Sequence, residues 1–486
     1  MIFERISTGT PGLDSLVEGG IPKGSTVLVA GNSGTGKTIL CSQFLYDGLT
    51  TKGENGLYIS FSESKAQFYA NTETIGMDFA KFERQMKFTF LDLASLTKNG
   101  IQDALEEILA NIRTTKAKRL VLDSFSAISL AFEDRSEART TIQVLLGKIT
   151  RAEGISTMVI IEVPYGREEI GSGIEESVVD GVMKLEHGED NASPLFLRVL
   201  KMRGTAINRE RHVCTIGKNG MVLYPKQSLR LAYPVSEERI SSGIPGFDER
   251  IGNGFVKGTA TGIIGATGTA KSIFAFQFLA EGVIKNGEAG IFCTLNESAD
   301  EIRRMGKSFG YDVTELEKNG LSLLVRSAEE ESPDGFIANL AAEIKRTKAK
   351  RLVIDSLSAF DHKYKKDMYE ITKRITNLIR EHQVSTVITI LVIQKSGFEI
   401  TELALSALIE NIILLRFVEM HGRTKRILLV LKMAETQHDE SILEFRLSKN
   451  KGGAEIVGSI DNDYVGIFTG VAQKVLEKKD SDQSIF

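Results

Sequence analysis

Residues 31–38 read Gly-Asn-Ser-Gly-Thr-Gly-Lys-Thr. A short apolar run, Val27–Ala30, precedes them, and a helical pattern (Ile39, Leu40, Phe44, Leu45) starts at Lys37. The spacing GxxxxGK[ST] between a strand and a helix is that of a loop built to wrap phosphates. Its glycines let successive backbone N–H groups point inward at an anion. The helix N-terminus adds a favourable partial charge. This chemistry places Lys37 against the β- and γ-phosphates of a nucleoside triphosphate and the Thr38 hydroxyl on Mg²⁺. The expected contacts to ATP here are Ser33, Gly34, Thr35, Gly36, Lys37, Thr38 and Ile39.

A second loop, Gly265-Ala-Thr-Gly-Thr-Ala-Lys-Ser272, repeats the pattern with one departure. Ala270 stands where glycine is expected beside the lysine. A Cβ there is tolerable if the backbone is near helical and harmful if φ is positive. The matching contacts are Thr267, Gly268, Thr269, Ala270, Lys271, Ser272 and Ile273. Asp123 and Asp355 end the apolar runs LVLD and LVID. An acid at the C-terminal end of a parallel strand, across from such a loop, suits the orientation of Mg²⁺. The metal set is therefore Thr38, Asp123, Ser272 and Asp355. Hydrolysis also needs a group that orients or deprotonates water. Glu63 and Glu297, each at the end of the strand after a loop helix, are the candidates. Lys201 and Arg203, in Lys-Met-Arg-Gly-Thr, are spaced to point to one side of a strand. They suit neutralisation of phosphoryl charge. The candidate catalytic groups are thus Lys37, Glu63, Lys201, Arg203, Lys271 and Glu297.

The elements that must hold these groups occur twice. RISTGTPGLD from Arg5 returns as RISSGIPGFD from Arg239. TKAKRLVLDSFSA from Thr115 returns from Thr347, differing only at Leu122/Ile354 and Phe125/Leu357. VLKM at Val199 returns at Val430. The near-constant offset of about 230 residues marks a duplicated domain rather than a solenoid repeat. The proline-bearing stretch 224–238 is the expected joint. Domains are expected over 1–228 and 229–460, with a polar tail over 461–486. In the first half strands are expected over Val27–Ala30, Gly56–Phe61, Leu120–Leu122 and Thr157–Glu162, with helices over Ile101–Ile112 and Thr140–Glu153. The second half repeats this at Ile263–Ile264, Ile291–Leu295, Leu352–Ile354 and Thr386–Ile393, with helices over Phe336–Lys345 and Met368–His382. Alternation of strand and helix predicts an α/β fold with a largely parallel sheet covered on both faces.

Composition narrows the classes further. The 60 Lys+Arg against 64 Asp+Glu leave a net charge of −4, so no global basic field advertises nucleic acid or an anionic membrane. The 42% hydrophobic and 26% charged shares are those of a globular chain, not a disordered one. Cys41, Cys214 and Cys293 lie far apart, without a CxxC, and read as free thiols. No signal-peptide pattern or spanning apolar run is present, and a cytoplasmic location is expected.

With S[TS]GxxGxD opening both halves, the LDS/IDS strands and the KM(R)G(T) strand, the chain resembles the KaiC family, the ATPase and autokinase of the cyanobacterial circadian clock. The resemblance runs over about 1–470 and includes 412–419, 431–445 and 464–475. It implies two RecA-like domains in a double-layered homohexamer, with ATP between neighbouring subunits, slow hydrolysis in the first ring and autophosphorylation in the second. It carries Lys201, Met202, Arg203 and Thr205 to the neighbour's nucleotide. Thr74 and Phe309 fall beside nucleotide in the first and second halves, and Arg426, Lys432, Met433 and His438 contact nucleotide in the second ring. A KaiB-like partner is the family expectation. The tail is too divergent to carry the same expectation for a KaiA-like activator.

The departures matter as much. The family has two consecutive glutamates after each loop helix, but here they read Ser62-Glu63 and Asn296-Glu297. The first glutamate of the second half is the family's kinase base, and Asn296 cannot take a proton. The family's Ser-Thr phosphosite falls on Ser406-Ala407, leaving Ser406 as the acceptor and no two-site cycle at that pair. Ala434 replaces a phosphate-facing arginine.

Three functions compete. The leading one is a Mg²⁺-dependent ATPase with autophosphorylation on Ser406 and a timing or signalling output. Its rival is a nucleotide-gated hexameric scaffold with little turnover. Absence of the first glutamate in both halves favours the scaffold, while Lys37, Thr38, Asp123, Lys201 and Arg203 favour turnover. A DNA-handling ATPase would need basic loops after the last core strand. Pro164–Asp180 carries one arginine against five acids, and Ser396–Ala407 has two acids and no base.

Overall fold

The structure is a computed structural model. It describes residues 4–93, 101–124, 126, 154–166, 170, 175–188, 195–226, 236–329, 331–392, 407–420, 422–448, 452–460, 464–465 and 473–474. The expected helix Thr140–Glu153 and the acceptor Ser406 lie outside the described residues. The chain divides into two compact units, Met1–Lys226 and Gln227–Phe486.

In the first unit a nine-stranded sheet runs edge to edge through Gly220–Tyr224, His212–Gly217, Leu195–Met202, Gly181–His187, Thr26–Gly31, Ser156–Glu162, Arg119–Asp123, Gly56–Ser60 and Phe88–Asp92. From Gly181–His187 to Phe88–Asp92 all neighbours are parallel. The sheet of the second unit has the same order: Gly453–Ser459, Leu443–Ser448, Arg423–Lys432, Asn411–Met420, Ala260–Gly265, Ser385–Leu391, Arg351–Asp355, Gly290–Thr294 and Leu321–Val325. Each expected strand is found, its ends shifted by at most three residues, and the helix Met368–His382 has the expected limits. Beyond expectation, each parallel core is extended by three antiparallel strands.

The strands are continuous apolar runs because both sheet faces are covered. Alternate residues serve opposite faces. Val29, Tyr58, Val121 and Ile160 pack with Leu40 and Phe44 of the loop helix Lys37–Asp47. Leu28, Ile59, Leu122 and Ile161 pack with Ile108 and Ile112 of helix Ile101–Thr115. In the second unit Ile263, Phe292 and Val353 meet Phe274 and Phe278, while Ile264, Ile291 and Ile354 meet Phe336, Leu340 and Ile375.

Both halves carry the same buried arginine under the loop helix. Arg119 bonds the carbonyls of Ser7 and Phe44 and the Glu54 carboxylate, and lies over the Phe44 ring. Arg351 repeats this with Ser241, Phe278 and Glu288. Pairing of this kind offsets the cost of burying a guanidinium, although Nη2 of each arginine is buried without a hydrogen-bond partner among the described residues. The opening motif is also structural. The Asp14 carboxylate accepts from the Ser7 hydroxyl and from the backbone and hydroxyl of Thr8, and Asp248 accepts from the Ser242 N–H. Gly9 has φ +70°, and a Cβ there would lie 2.4 Å from the Gln43 carbonyl. The motif thereby clamps the chain start against the loop helix. In the C-terminal stretch, Tyr464–Val465 pairs with Gln473–Lys474.

Candidate functional site

Each phosphate loop joins the central strand of its sheet to a helix with an unfilled N-terminus. Gly36 (φ 81°) precedes helix Lys37–Asp47, and Ala270 (φ 79°) precedes Lys271–Asn286. Neither has a side-chain cap or an acidic residue in its first turn. Other helices cap themselves, as Ser298 does with Glu301. The free N–H groups at the loop helices are what an anion would take up.

The loop side chains occupy matching places. The Thr35 hydroxyl donates to the Asn32 carbonyl and the Thr269 hydroxyl to the Ala266 carbonyl, both at 2.8 Å. Lys37 Nζ donates to the carbonyls of Gly31 and Asn32 at 3.0 and 2.7 Å, and Lys271 Nζ to those of Gly265 and Ala266 at 2.9 Å. Burial lowers both lysine pKa values, partly countered at Lys37 by Glu162 and Asp123 and at Lys271 by Asp355. Ser33 and Thr267 are exposed at the loop tips, Ser272 is half-buried, and Ile39 packs on the core. The Ile273 N–H donates to the Ala270 carbonyl. The Ser33 carbonyl accepts from the Tyr165 hydroxyl at 3.2 Å.

Ala270 falls on the harmful side of the alternative, because its φ is positive. In the first half a Cβ on Gly36 would lie 2.5 Å from the tip of the Ile216 side chain, which would have to move aside. In the second half Ala270 is partly buried and packs against the core. Ala270→Gly is expected to stabilise the second half by about 1 kcal/mol, seen in calorimetry as a rise of about 2–4 °C in its transition. An unchanged or lower transition would contradict the strain.

The strand-end acids sit beside the loops. Thr38 Oγ1 donates to Asp123 Oδ2 at 3.0 Å, and the Tyr58 phenol donates to the same oxygen. Burial raises the Asp123 pKa, opposed by these two bonds and by Lys37. Thr389 donates to Asp355. A cis peptide follows each aspartate. Glu63 lies in the bend after Ser60, whose hydroxyl accepts its N–H at 2.9 Å, while Asn71 donates to its carboxylate at 2.6 Å. Glu297 is held likewise by Thr294 at 3.0 Å. Burial raises both glutamate pKa values; Asp123 and Asp355 add to it.

The loop environment fits a nucleotide with its metal. A Cβ built on Gly34 would meet nothing within 4 Å, so the loop face is open. Among the described residues no group of three or more His, Cys, Asp or Glu could hold an ion alone. One carboxylate beside a hydroxyl instead suits Mg²⁺, which keeps water and phosphate ligands.

Other expected site residues are held by partners of their own. Lys201 Nζ donates to the carbonyls of Glu176 and Val179 at 2.8 and 2.7 Å, and Arg203 pairs with Asp180 at 3.1 Å. Met202 and Met433 are buried in their cores, and Thr205 accepts from Arg5 at 2.9 Å. Thr74 and Phe309 follow helices Lys65–Glu73 and Ala299–Ser308. Lys432 donates to the Ile409 carbonyl at 2.8 Å, and half-buried His438 precedes Asp439, which pairs with Arg250. Arg426 does come near its loop. Its guanidinium lies 5.2 Å from the Phe417 ring centroid. That ring is 3.8 Å from where a Gly268 Cβ would stand.

The family model described as "ATPase: KaiC" matches residues 6–228 and 240–459, one match per unit. The chain belongs to the KaiC family. A KaiC circadian clock oscillator protein of Picosynechococcus is 31% identical to it, with 99% of this chain and 95% of that protein aligned. One from Thermosynechococcus vestitus is 31% identical over 97% and 92%, and one from Prochlorococcus marinus 29% over 98% and 97%. It is a KaiC-family ATPase with two RecA-like domains. No helix among the described residues is long and apolar enough to cross a membrane.

Tyr58, Thr389 and Tyr165 are polar groups at the sites that motif reading passes over. A signal was present for Tyr58: a phenol inside an otherwise apolar central strand must find an acceptor.

Proposed function

We propose that the chain is a Mg²⁺-dependent ATPase whose first half carries turnover. Its second half binds ATP and transfers phosphoryl groups to Ser406. The observation supporting this most directly is the Thr38 hydroxyl bonded to Asp123 beside Lys37, since that arrangement suits a triphosphate with its metal. When bound, Mg²⁺ neutralises charge on the transferred phosphate. Thr38 and Asp123 would hold it, Lys37 would draw the γ-phosphate in, and the Glu63 carboxylate would accept a proton from water. The family's assembly, a homohexamer with ATP between subunits, brings Lys201 and Arg203 to a neighbour's phosphates, and the cycle drives a timing or signalling output through a KaiB-like protein.

ATP labelled on the γ-phosphate, given with Mg²⁺ to the purified chain, tests both activities in one time course. Free phosphate together with label on Ser406 is the expected result. Neither signal would leave a nucleotide-gated scaffold instead.

The Glu63 assignment has a pH consequence. A base must be ionised, and burial raises this carboxyl above its usual value. Turnover is expected to fall as pH drops through that raised value, and Glu63→Gln should abolish the acid limb along with most of the rate. An acid limb that survives in Glu63→Gln would assign it to another group.

A further inference from the structure

Both strand-end aspartates are held by a buried hydroxyl, but the two halves draw it from different strands. In the first half Tyr58, on Gly56–Ser60, donates to Asp123 Oδ2. In the second half Thr389, on Ser385–Leu391, donates to Asp355 Oδ1. The registers show a reciprocal exchange. Tyr58 lies beside Val121 as Phe292 lies beside Val353, and Thr389 lies beside Ile263 as Ile160 lies beside Val29. One half therefore has a phenol and an isoleucine where the other has a phenyl and a threonine. The Tyr58 ring cannot swing away, because Phe68 lies 4.3 Å and Phe90 5.4 Å from it, centroid to centroid.

A buried carboxylate needs its lone pairs met, and a fixed donor also fixes its orientation. Groups behind a metal-facing ligand commonly set its geometry and its affinity for the ion. Duplicate sites that keep the donor while changing its source point to a requirement on the aspartate, not on the strand.

We propose that Tyr58 and Thr389 are positioning residues for the metal, each locking the strand-end aspartate of its own half in the orientation that Mg²⁺ and its waters require. This rests on the reading of Asp123 and Asp355 as metal-orienting groups.

The test uses Mn²⁺ as probe, with binding to the full chain followed by electron paramagnetic resonance in the presence of the non-hydrolysable β,γ-imido analogue of ATP. In a Lys271→Ala background, which leaves the first half to take nucleotide, Tyr58→Phe is expected to weaken Mn²⁺ about tenfold or more. Affinity for the analogue in EDTA should stay unchanged. Adding Ile160→Thr transplants the second half's arrangement and should recover most of the loss. Thr389→Val in a Lys37→Ala background is the parallel measurement, and it decides the matter if the double variant does not fold. Unchanged Mn²⁺ affinity in Tyr58→Phe or Thr389→Val overturns the proposal for that half. Asp123→Asn separates the two levels of the argument. If it loses Mn²⁺ while Tyr58→Phe keeps it, the positioning role fails and the metal reading stands. If it keeps Mn²⁺ as well, the metal reading itself fails.

Discussion

Lys37→Ala is expected to lower phosphate release by roughly 100- to 1,000-fold, the scale seen when one preorganised charge-stabilising group is removed. Lys37 sits at the start of the loop helix, already threaded through the loop with its ammonium on the Gly31 and Asn32 carbonyls. Burial lowers its pKa, so the fold holds this charge at a cost rather than gaining from it. The fold should therefore survive the substitution, and circular dichroism melting should show a cooperative transition near that of the wild type. Lys271→Ala should leave most phosphate release intact, because the second half has Ala434 where the first has Arg203 and carries Ala270 in its loop. Wild-type release from Lys37→Ala, with loss in Lys271→Ala, would move turnover to the second half.

The contrast depends on features legible in the sequence to different degrees. The loops, the strand-end aspartates and the duplication could be read directly, because each is a local pattern fixed by backbone geometry. The parallel cores followed from apolar runs such as Val27–Ala30 and Thr157–Glu162, which both faces of a sheet must bury. The antiparallel extensions were not legible. Leu195–Met202 and His212–Gly217 are half-exposed in places, and their pairing depends on partners distant in sequence. The role of the opening motif was hidden too. Its conspicuous Asp14 spends its carboxylate on Ser7 and Thr8.

Ala270 shows where a sequence stops short in principle. The residue type poses the question of φ, and only the backbone answers it, at +79°. Lys201 and Arg203 illustrate a different limit. Their spacing predicts a shared side, and within one unit they do lie together, but on Glu176, Val179 and Asp180. Under the proposed assembly the phosphates they meet would belong to a neighbouring subunit, a contact outside a single chain. Tyr58 was a missed signal, since a buried hydroxyl in a central strand poses a satisfaction problem that the aspartate beside it solves.

The second half lends itself to a gain of function. Asn296→Glu is expected to raise transfer of label from ATP to Ser406 by about 100-fold or more, the usual contribution of a positioned general base. The chain on both sides of residue 296 is already fixed. The Leu295 N–H donates to the Asp355 carbonyl at 3.0 Å, and the Glu297 N–H to the Thr294 hydroxyl at the same distance. In the first half the Phe61 N–H meets the Asp123 carbonyl at 2.7 Å in the same way. A carboxylate at 296 would thus start from a backbone tied to the strand that Asp355 ends. Asn296 is exposed, so the new charge has no burial cost to overcome. An asparagine can orient a hydroxyl but leaves its proton in place, which is the step the substitution supplies. The check is γ-labelled ATP with phosphopeptide mapping in the wild type, Asn296→Glu and Asn296→Glu/Ser406→Ala. Label rising in the single variant and vanishing in the double one is the expected pattern. Label that persists without Ser406 would remove it as the acceptor. A single variant no better than the wild type would shift the barrier to Ala434, where the family's phosphate-facing arginine is missing.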